Sequence, residues 1–346
     1  MPQESQSRSP RQAQAPFFAG VDLGGTNIKV GAVDDLGRCL SRLSIPTDPE
    51  KGPEDAARRM GKAVLAAAAQ AGLESSALAR VGLGAPGTMD IPSGRLVKPV
   101  NIKGWDDFPI RDRLGAHCGL PVTFANDANA AAYGEFWVGS GRDFHSMVLF
   151  TLGTGIGCGI IVGDLSIDGE NSHGGECGHI IIDCSDGARL CGCGQPGHLE
   201  AYASATAVVK RTQEALDAGR PSSLRRALDE RHPLTPKLLA CEAEAGDALS
   251  LEIIAETARY LGVGIVTLMH TIDPSGVLLG GAMTFGGGQS PLGRRFLGWI
   301  KEEVCRRAFR GPAEQTVIDF ATLGGDAGYI GAAGLARLEH RKLAKN

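Results

Sequence analysis

The ten residues "CGCGQPGHLE", Cys191 to Glu200, hold two cysteines, three glycines, a proline, a histidine and a glutamate. Sulfur and imidazole are the ligands Zn²⁺ prefers, arranged in a tetrahedron. The C-G-C spacing puts Cys191 and Cys193 within reach of one ion, and Gly192 and Gly194 let the chain wrap around it. A redox pair fits less well, because C-x-C lacks the spacing and context of a thioredoxin-like motif.

Three glycine-rich loops are candidates for holding phosphate. "GLGAPG" (82–87) matches G-x-G-x-x-G after a predicted strand. A dinucleotide fingerprint also needs a helix to open at that turn. The continuation "TMDIPSG", with Pro92 and Gly94, blocks one, so this loop reads as a backbone bend lining a cleft. The other two, "DLGGTN" (22–27) and "LGTGIG" (152–157), are hairpin turns, and neither is a G-x-x-x-x-G-K-[ST] loop. Glycines in such turns let backbone N–H groups approach phosphate oxygens. Gly24, Gly25, Gly153 and Gly155 would do so here, with Thr26, Asn27 and Thr154 as side-chain donors. Asp22, at the end of the strand before the first turn, would hold a hydrated Mg²⁺. Lys29 reads equally as a source of positive charge or as a solvated strand residue.

The elements that must position these groups alternate between strand and helix, which implies an α/β fold. "FFAGVDLGG" enters the first turn as an apolar strand and "NIKVGAVDDLG" leaves it as a second. "GPEDAARRMGKAVLAAAAQAG" is helical, with Pro53 at a first helical position. "ARVGLGA" and "LPVTFAND" read as strands, and "ANAAAYGEFW" as a helix. "SMVLFTLGTGIGCGIIVGD" is again strand, glycine turn, strand. Helices are expected around 200–218, 250–271 and 292–308, with a strand at "GVLLGGAM" (276–283) and an Ala/Gly-rich helix at 328–343. "VDLGGTNIKVGAV" (21–33) and "FTLGTGIGCGIIV" (150–162) share one plan, too far apart for a solenoid repeat. That echo fits two related domains, each opening with a hairpin.

Composition narrows the class. The chain has 346 residues, 43% of them hydrophobic, with 35 basic against 39 acidic side chains. That balance offers no electrostatic footprint for nucleic acid. No apolar run is long enough to span a bilayer. Residues 1–16 are polar, read as a disordered tail, and show no secretory signal. Nine cysteines without such a signal read as reduced thiols in a cytoplasm. Glycine, at 49 residues, is about twice its average usage.

The motifs "DLGGTNIK", "GLGAPG", "NIKGWDDFPIRDRL", "NDANAAAYGE", "LGTGIGCGI", "GECGHI", "CGCGQPGHLE" and "LLGGAM" occur in one order from about Phe17 to the last helix. In this the chain resembles the ROK family of sugar kinases and repressors, on its bacterial glucokinase branch. The resemblance implies the two-domain actin-like (ribonuclease H-like) ATPase fold with an interdomain cleft. The expected division is a small domain at 17–126, onto which the last helix packs back, and a large domain at 127–327 carrying the zinc loop.

It further implies ATP as donor and a hexose hydroxyl as acceptor. Asp127 corresponds to the general base that takes the proton of the sugar 6-hydroxyl, although an Asp before "ANAAAYGE" also reads as a helix N-cap. Asn101, Asn126, Glu176, His179 and Glu200 correspond to sugar-binding positions, and Gly87 would present backbone to the ring. Gly280 and Gly281 correspond to the adenosine side. The family's metal pattern is a histidine, then C-x-C, then a third cysteine. His198 stands where that cysteine is expected, leaving His179, Cys191, Cys193 and His198 as the ligand set, with Cys184 or Cys177 as alternatives for the fourth place. Four protein ligands would make the zinc structural. Relatives suggest a homodimer.

Three functions follow from the resemblance. The first is an ATP-dependent glucokinase. The second is a kinase for another hexose or N-acetylhexosamine, or one using polyphosphate. The third is a sugar-responsive repressor, which would need a helix-turn-helix where only about sixteen polar residues precede the first strand.

Overall fold

The computed structural model describes residues 13–99, 102 and 104–345. The strands are β1 (Phe17–Leu23), β2 (Asn27–Val33), β3 (Cys39–Pro46), β4 (Leu78–Ala85), β5 (Thr88–Asp90), β6 (Arg95–Lys98), β7 (Val122–Asn126), β8 (Ser146–Leu152), β9 (Ile156–Val162), β10 (Leu165–Ser166), β11 (Gly276–Gly281) and β12 (Val317–Phe320). The helices are α1 (Pro53–Gln70), α2 (Ile110–Cys118), α3 (Asp127–Val138), α4 (Glu200–Ala203), α5 (Ala205–Asp217), α6 (Leu224–Asp229), α7 (Pro236–Glu244), α8 (Ala248–Ile272), α9 (Pro291–Arg307), α10 (Arg310–Gln315) and α11 (Ala327–Leu343). The chain divides into two compact units. The first takes the chain up to Asp143, then Gly159–Gly175 and everything from Leu323; the second holds Phe144–Cys158 and Glu176–Thr322.

The first unit is built on a sheet of order β3-β2-β1-β4-β7, in which β1, β4 and β7 run parallel and β2 antiparallel to β1. β1 is apolar along almost its whole length because both faces are covered, as expected of a central parallel strand. Ala19, Val21 and Leu23 join the core that includes Met60 and Val64 of α1. Phe18 faces the other way, onto Tyr329, Ile330 and Ala333 of α11. Pro53 opens α1, with Glu54 and Asp55 in its first turn where the helix dipole favours them.

Glycine spacing explains how closely α11 can lie. Gly20 and Gly82 are register partners on β1 and β4. A Cβ on Gly20 would overlap the Tyr329 carbonyl, and one on Gly82 the Ala332 carbonyl. α11 meets α3 equally closely: a Cβ on Gly331 would overlap the Ala130 carbonyl. Gly331→Ala should therefore destabilise the protein by about 3 kcal/mol, the upper end of ordinary overpacking. The check is the denaturant midpoint of the purified variant; an unchanged midpoint would mean that the two helices are not in this contact.

This packing bears on the expected domain boundary. The division at residue 126 falls inside the first unit, because α3 rests on α11 and so belongs with the sheet that α11 covers. The expected tail also needs correction at its end. Gln14 is tied down: its N–H donates to Asp34 Oδ2 at 3.1 Å and its carbonyl accepts from Asp35 N at 2.9 Å. Residues 1–12 lie outside the described residues.

The second five-stranded sheet has the order β10-β9-β8-β11-β12. β8 runs parallel to β11, and β11 to β12. The order repeats that of the first sheet strand for strand, with the glycine hairpin at the corresponding place. That repetition is the structural counterpart of the internal echo. The helix expected at 200–218 is broken in two at Ser204, whose extended backbone ends α4 and whose hydroxyl caps α5 by accepting from Ala207 N at 3.2 Å. Among the described residues, no helix is long and apolar enough to cross a membrane.

Candidate functional site

In the first unit the candidate residues gather at the carboxyl ends of the parallel strands, where α/β sheets bind ligands. In register, Asp22 on β1 stands opposite Gly84 on β4, and Ala85 on β4 opposite Asn126 on β7. Asn126 is the N-cap of α3. Its Oδ1 accepts from Ala128 N at 2.9 Å and from Asn129 N at 3.4 Å. Asp127 is therefore the first helical residue and does not serve as the cap, although its Oδ1 also accepts from Ala128 N at 2.8 Å. With Oδ1 engaged, Asn126 has its amide Nδ2 to offer a ligand. Gly87, at φ 83°, turns the chain after β4 into β5 with a backbone shape that other residues rarely take. Asn101 lies outside the described residues.

The hairpin between β1 and β2 exposes Gly25, Thr26 and Asn27. Gly24 N–H is spent inside the turn on the Asn27 carbonyl at 3.0 Å. Lys29 is partly buried. It pairs across the strands with Asp22, and its Nζ donates to the Gly325 carbonyl at 2.7 Å, just ahead of α11. Burial pushes the Asp22 carboxyl above its usual range, and the Lys29 charge partly opposes this. A carboxylate so placed stays ionised more readily beside a cation, which suits the oxygen-donor chemistry of hydrated Mg²⁺.

In the second unit, Gly153 N–H is spent on the Gly155 carbonyl at 3.0 Å, and Thr154 is exposed at the tip. β11 ends beside this turn: Gly281, at φ 89°, lies opposite Leu152, and Met283 N donates to the Leu152 carbonyl at 3.0 Å. Gly280 precedes it on β11, opposite Thr151. Two threonines absent from the sequence reading brace the hairpins in the same manner. Thr47 Oγ1 donates to the Gly24 carbonyl at 2.6 Å, and Thr206 Oγ1 to the Thr154 carbonyl at 2.8 Å. Nothing in the residues around Thr47 signals this. Thr206 could have been found from the Ser-Ala-Thr start of α5.

The metal candidates converge. One donor atom from each of His179, Cys191, Cys193 and His198 lies within 4.8 Å of all the others. His179 Nδ1 is 3.2 Å from His198 Nδ1 and 3.8 Å from Cys191 Sγ, and Cys193 Sγ is 3.2 Å from His198 Nδ1. A zinc tetrahedron with the usual bond lengths has edges of about 3.3 Å between nitrogens and about 3.8 Å between sulfurs, so the donor set fits. A turn closed by Gly194 N to the Cys191 carbonyl at 3.0 Å shapes the loop, and Gly194 takes φ 93°. Burial, then the neighbouring His179, lowers the His198 pKa, favouring the neutral imidazole that ligates metal. Burial pushes the Cys191 thiol up to about 11, so a cation is needed to make it a thiolate at neutral pH. Among the described residues neither Cys177 nor Cys184 joins the group. Cys177 is buried against Cys158, and Cys184 is exposed.

Glu176 and Glu200 flank the cluster. His179 Nε2, the nitrogen turned away from the other ligands, is 3.8 Å from Glu176 Oε2. Glu200 Oε1 is 3.6 Å from Cys191 Sγ.

The model of the ROK family matches residues 18–339. The chain belongs to the ROK family. It is 35% identical over 329 residues to a glucokinase of Halalkalibacterium halodurans, covering 95% of this chain and 97% of that protein. Among solved ROK structures, the hexokinase of Thermus thermophilus superposes with TM-score 0.80 at 34% identity, covering 94% of this chain and 99% of the other. A ROK glucokinase from Streptomyces griseus, solved with glucose and AMPPNP, gives TM-score 0.74 at 33% identity, covering 93% and 99%. The fold is thus the two-domain actin-like ATPase fold of ROK sugar kinases, as the motif order implied. The ring nitrogen of His198 sits among the other three donors.

Proposed function

We propose that the chain is a glucokinase, transferring the γ-phosphoryl group of ATP to the 6-hydroxyl of glucose. The observation that carries this is the likeness, across almost the whole of both chains, to a ROK glucokinase solved with glucose and AMPPNP. Phosphoryl transfer passes through a loose transition state, so the protein's work is alignment and charge stabilisation. Asp127 accepts the proton of the 6-hydroxyl; its place on the first turn of α3 holds the carboxylate rigidly. Asn126 donates through Nδ2 to a sugar hydroxyl, Asn101 adds a second amide, and Gly87 presents backbone to the ring. Glu176, Glu200 and Nε2 of His179 complete the sugar contacts.

The two hairpins hold the nucleotide phosphates through the backbone of Gly25, Gly153 and Gly155 and the side chains of Thr26, Asn27 and Thr154. Gly24 serves by shaping its turn, and Lys29 by adding positive charge beside Asp22. Gly280 and Gly281 border the adenosine. Mg²⁺, when bound, neutralises phosphate charge, and Asp22 is the oxygen donor that fits its hydrated shell. His179, Cys191, Cys193 and His198 would supply all four ligands of a Zn²⁺, which would make that ion structural. His179, held through Nδ1, would then keep its ring fixed with Nε2 facing outward. A cytoplasmic location and a homodimer complete the proposal.

A coupled assay of ADP release against glucose, mannose, fructose, allose, N-acetylglucosamine and N-acetylmannosamine tests it. Glucose should give the highest kcat/KM. Activity confined to an N-acetylhexosamine would move the assignment within the kinases, and silence with every sugar would end it.

A further inference from the structure

Glu200 has closer business than a sugar hydroxyl. Its Oε2 accepts from the backbone N–H of Ile156 at 2.8 Å, the residue that closes the second glycine hairpin. The fit leaves no slack: a Cβ on Gly155 would overlap that same carboxylate. The chain that follows Glu200 holds the hairpin twice more. Ala205 N donates to the Gly153 carbonyl at 2.9 Å, and Thr206 Oγ1 to the Thr154 carbonyl at 2.8 Å. On the other side Oε1 lies 3.6 Å from Cys191 Sγ, one of the four clustered donors. One carboxylate thus touches both the metal loop and the phosphate hairpin.

We propose that Glu200 is a positioning residue for the nucleotide: it locks the Gly153–Ile156 turn in its phosphate-binding shape. The proposal rests on the kinase reading, since it assigns Glu200 a task in nucleotide binding that a sugar ligand would not have. A buried backbone N–H that loses a charged acceptor costs enough to disturb a short turn. Glutamine keeps an oxygen for the Ile156 N–H, whereas alanine does not.

The test is the dissociation constant of AMPPNP with Mg²⁺, measured calorimetrically without sugar. Glu200→Ala should weaken it by about tenfold, the effect of losing one charge-assisted hydrogen bond, while Glu200→Gln stays within about threefold of the parent. Gly155→Ala, which pushes the carboxylate off the turn while leaving it in the chain, should weaken binding as Glu200→Ala does. A role confined to the sugar leaves nucleotide binding untouched in both Glu200 variants. Binding by Glu200→Ala or Gly155→Ala within twofold of the parent overturns the proposal, and so does equal loss in the alanine and glutamine variants. Failure of the parent itself to bind AMPPNP would instead fell the kinase assignment on which the proposal stands.

Discussion

Asp127→Asn should lower kcat by about two to four orders of magnitude, the range of general-base catalysis, and leave the dissociation constant of glucose within about threefold. The two halves of that result have separate causes. Asparagine matches aspartate in shape, and its amide oxygen can still accept from Ala128 N, as Asp127 Oδ1 does at 2.8 Å. The start of α3 does not depend on the exchange, because Asn126 is its cap. What asparagine cannot do is take a proton. Steady-state kinetics with glucose and ATP, set beside calorimetric glucose binding, separate the two effects. A kcat near that of the parent would remove Asp127 from the role of base.

Removing the metal should act on a different pair of properties. A chelator strong enough to strip the cluster should lower the melting temperature by on the order of 8 °C and weaken glucose binding in parallel. An ion present at a thousand times its dissociation constant stabilises by about 4 kcal/mol, and in a large domain each kcal/mol moves the midpoint by about 2 °C or more. His198→Ala should reproduce the loss, since three ligands bind less tightly than four. His198→Cys, which puts a thiolate in the fourth place, should keep the metal. The checks are metal analysis and thermal scans of the three proteins. Less than about 0.2 zinc per chain in the parent, purified without chelators, would contradict a four-ligand site of the high affinity such sites have.

Much of this was legible in the sequence because it rests on local rules. Glycine turns between apolar strands mark hairpins, and C-G-C beside histidine marks a metal loop. The repeated hairpin plan announced two similar sheets. What stayed hidden depends on contacts between distant segments. Asn126 and Asp127 are adjacent and both are good caps, so only the hydrogen bonds at the start of α3 could show that the first takes that task. The role of Lys29 stayed open between two readings because its partner, the Gly325 carbonyl, lies near the far end of the chain. The boundary at residue 126 followed a change of element, whereas the packing of α3 is set by Gly331, also near that end. β3, with alternating exposure at the edge of its sheet, and the short β12 carried too weak an apolar pattern to be singled out.

The most direct test is the product itself. Purified protein incubated with ATP, Mg²⁺ and glucose should form glucose 6-phosphate and ADP in equal amounts, seen as a new phosphate monoester by phosphorus NMR, with no ester in the Asp127→Asn sample over the same time. ADP without a sugar ester, or an ester formed as fast by the variant as by the parent, would contradict it.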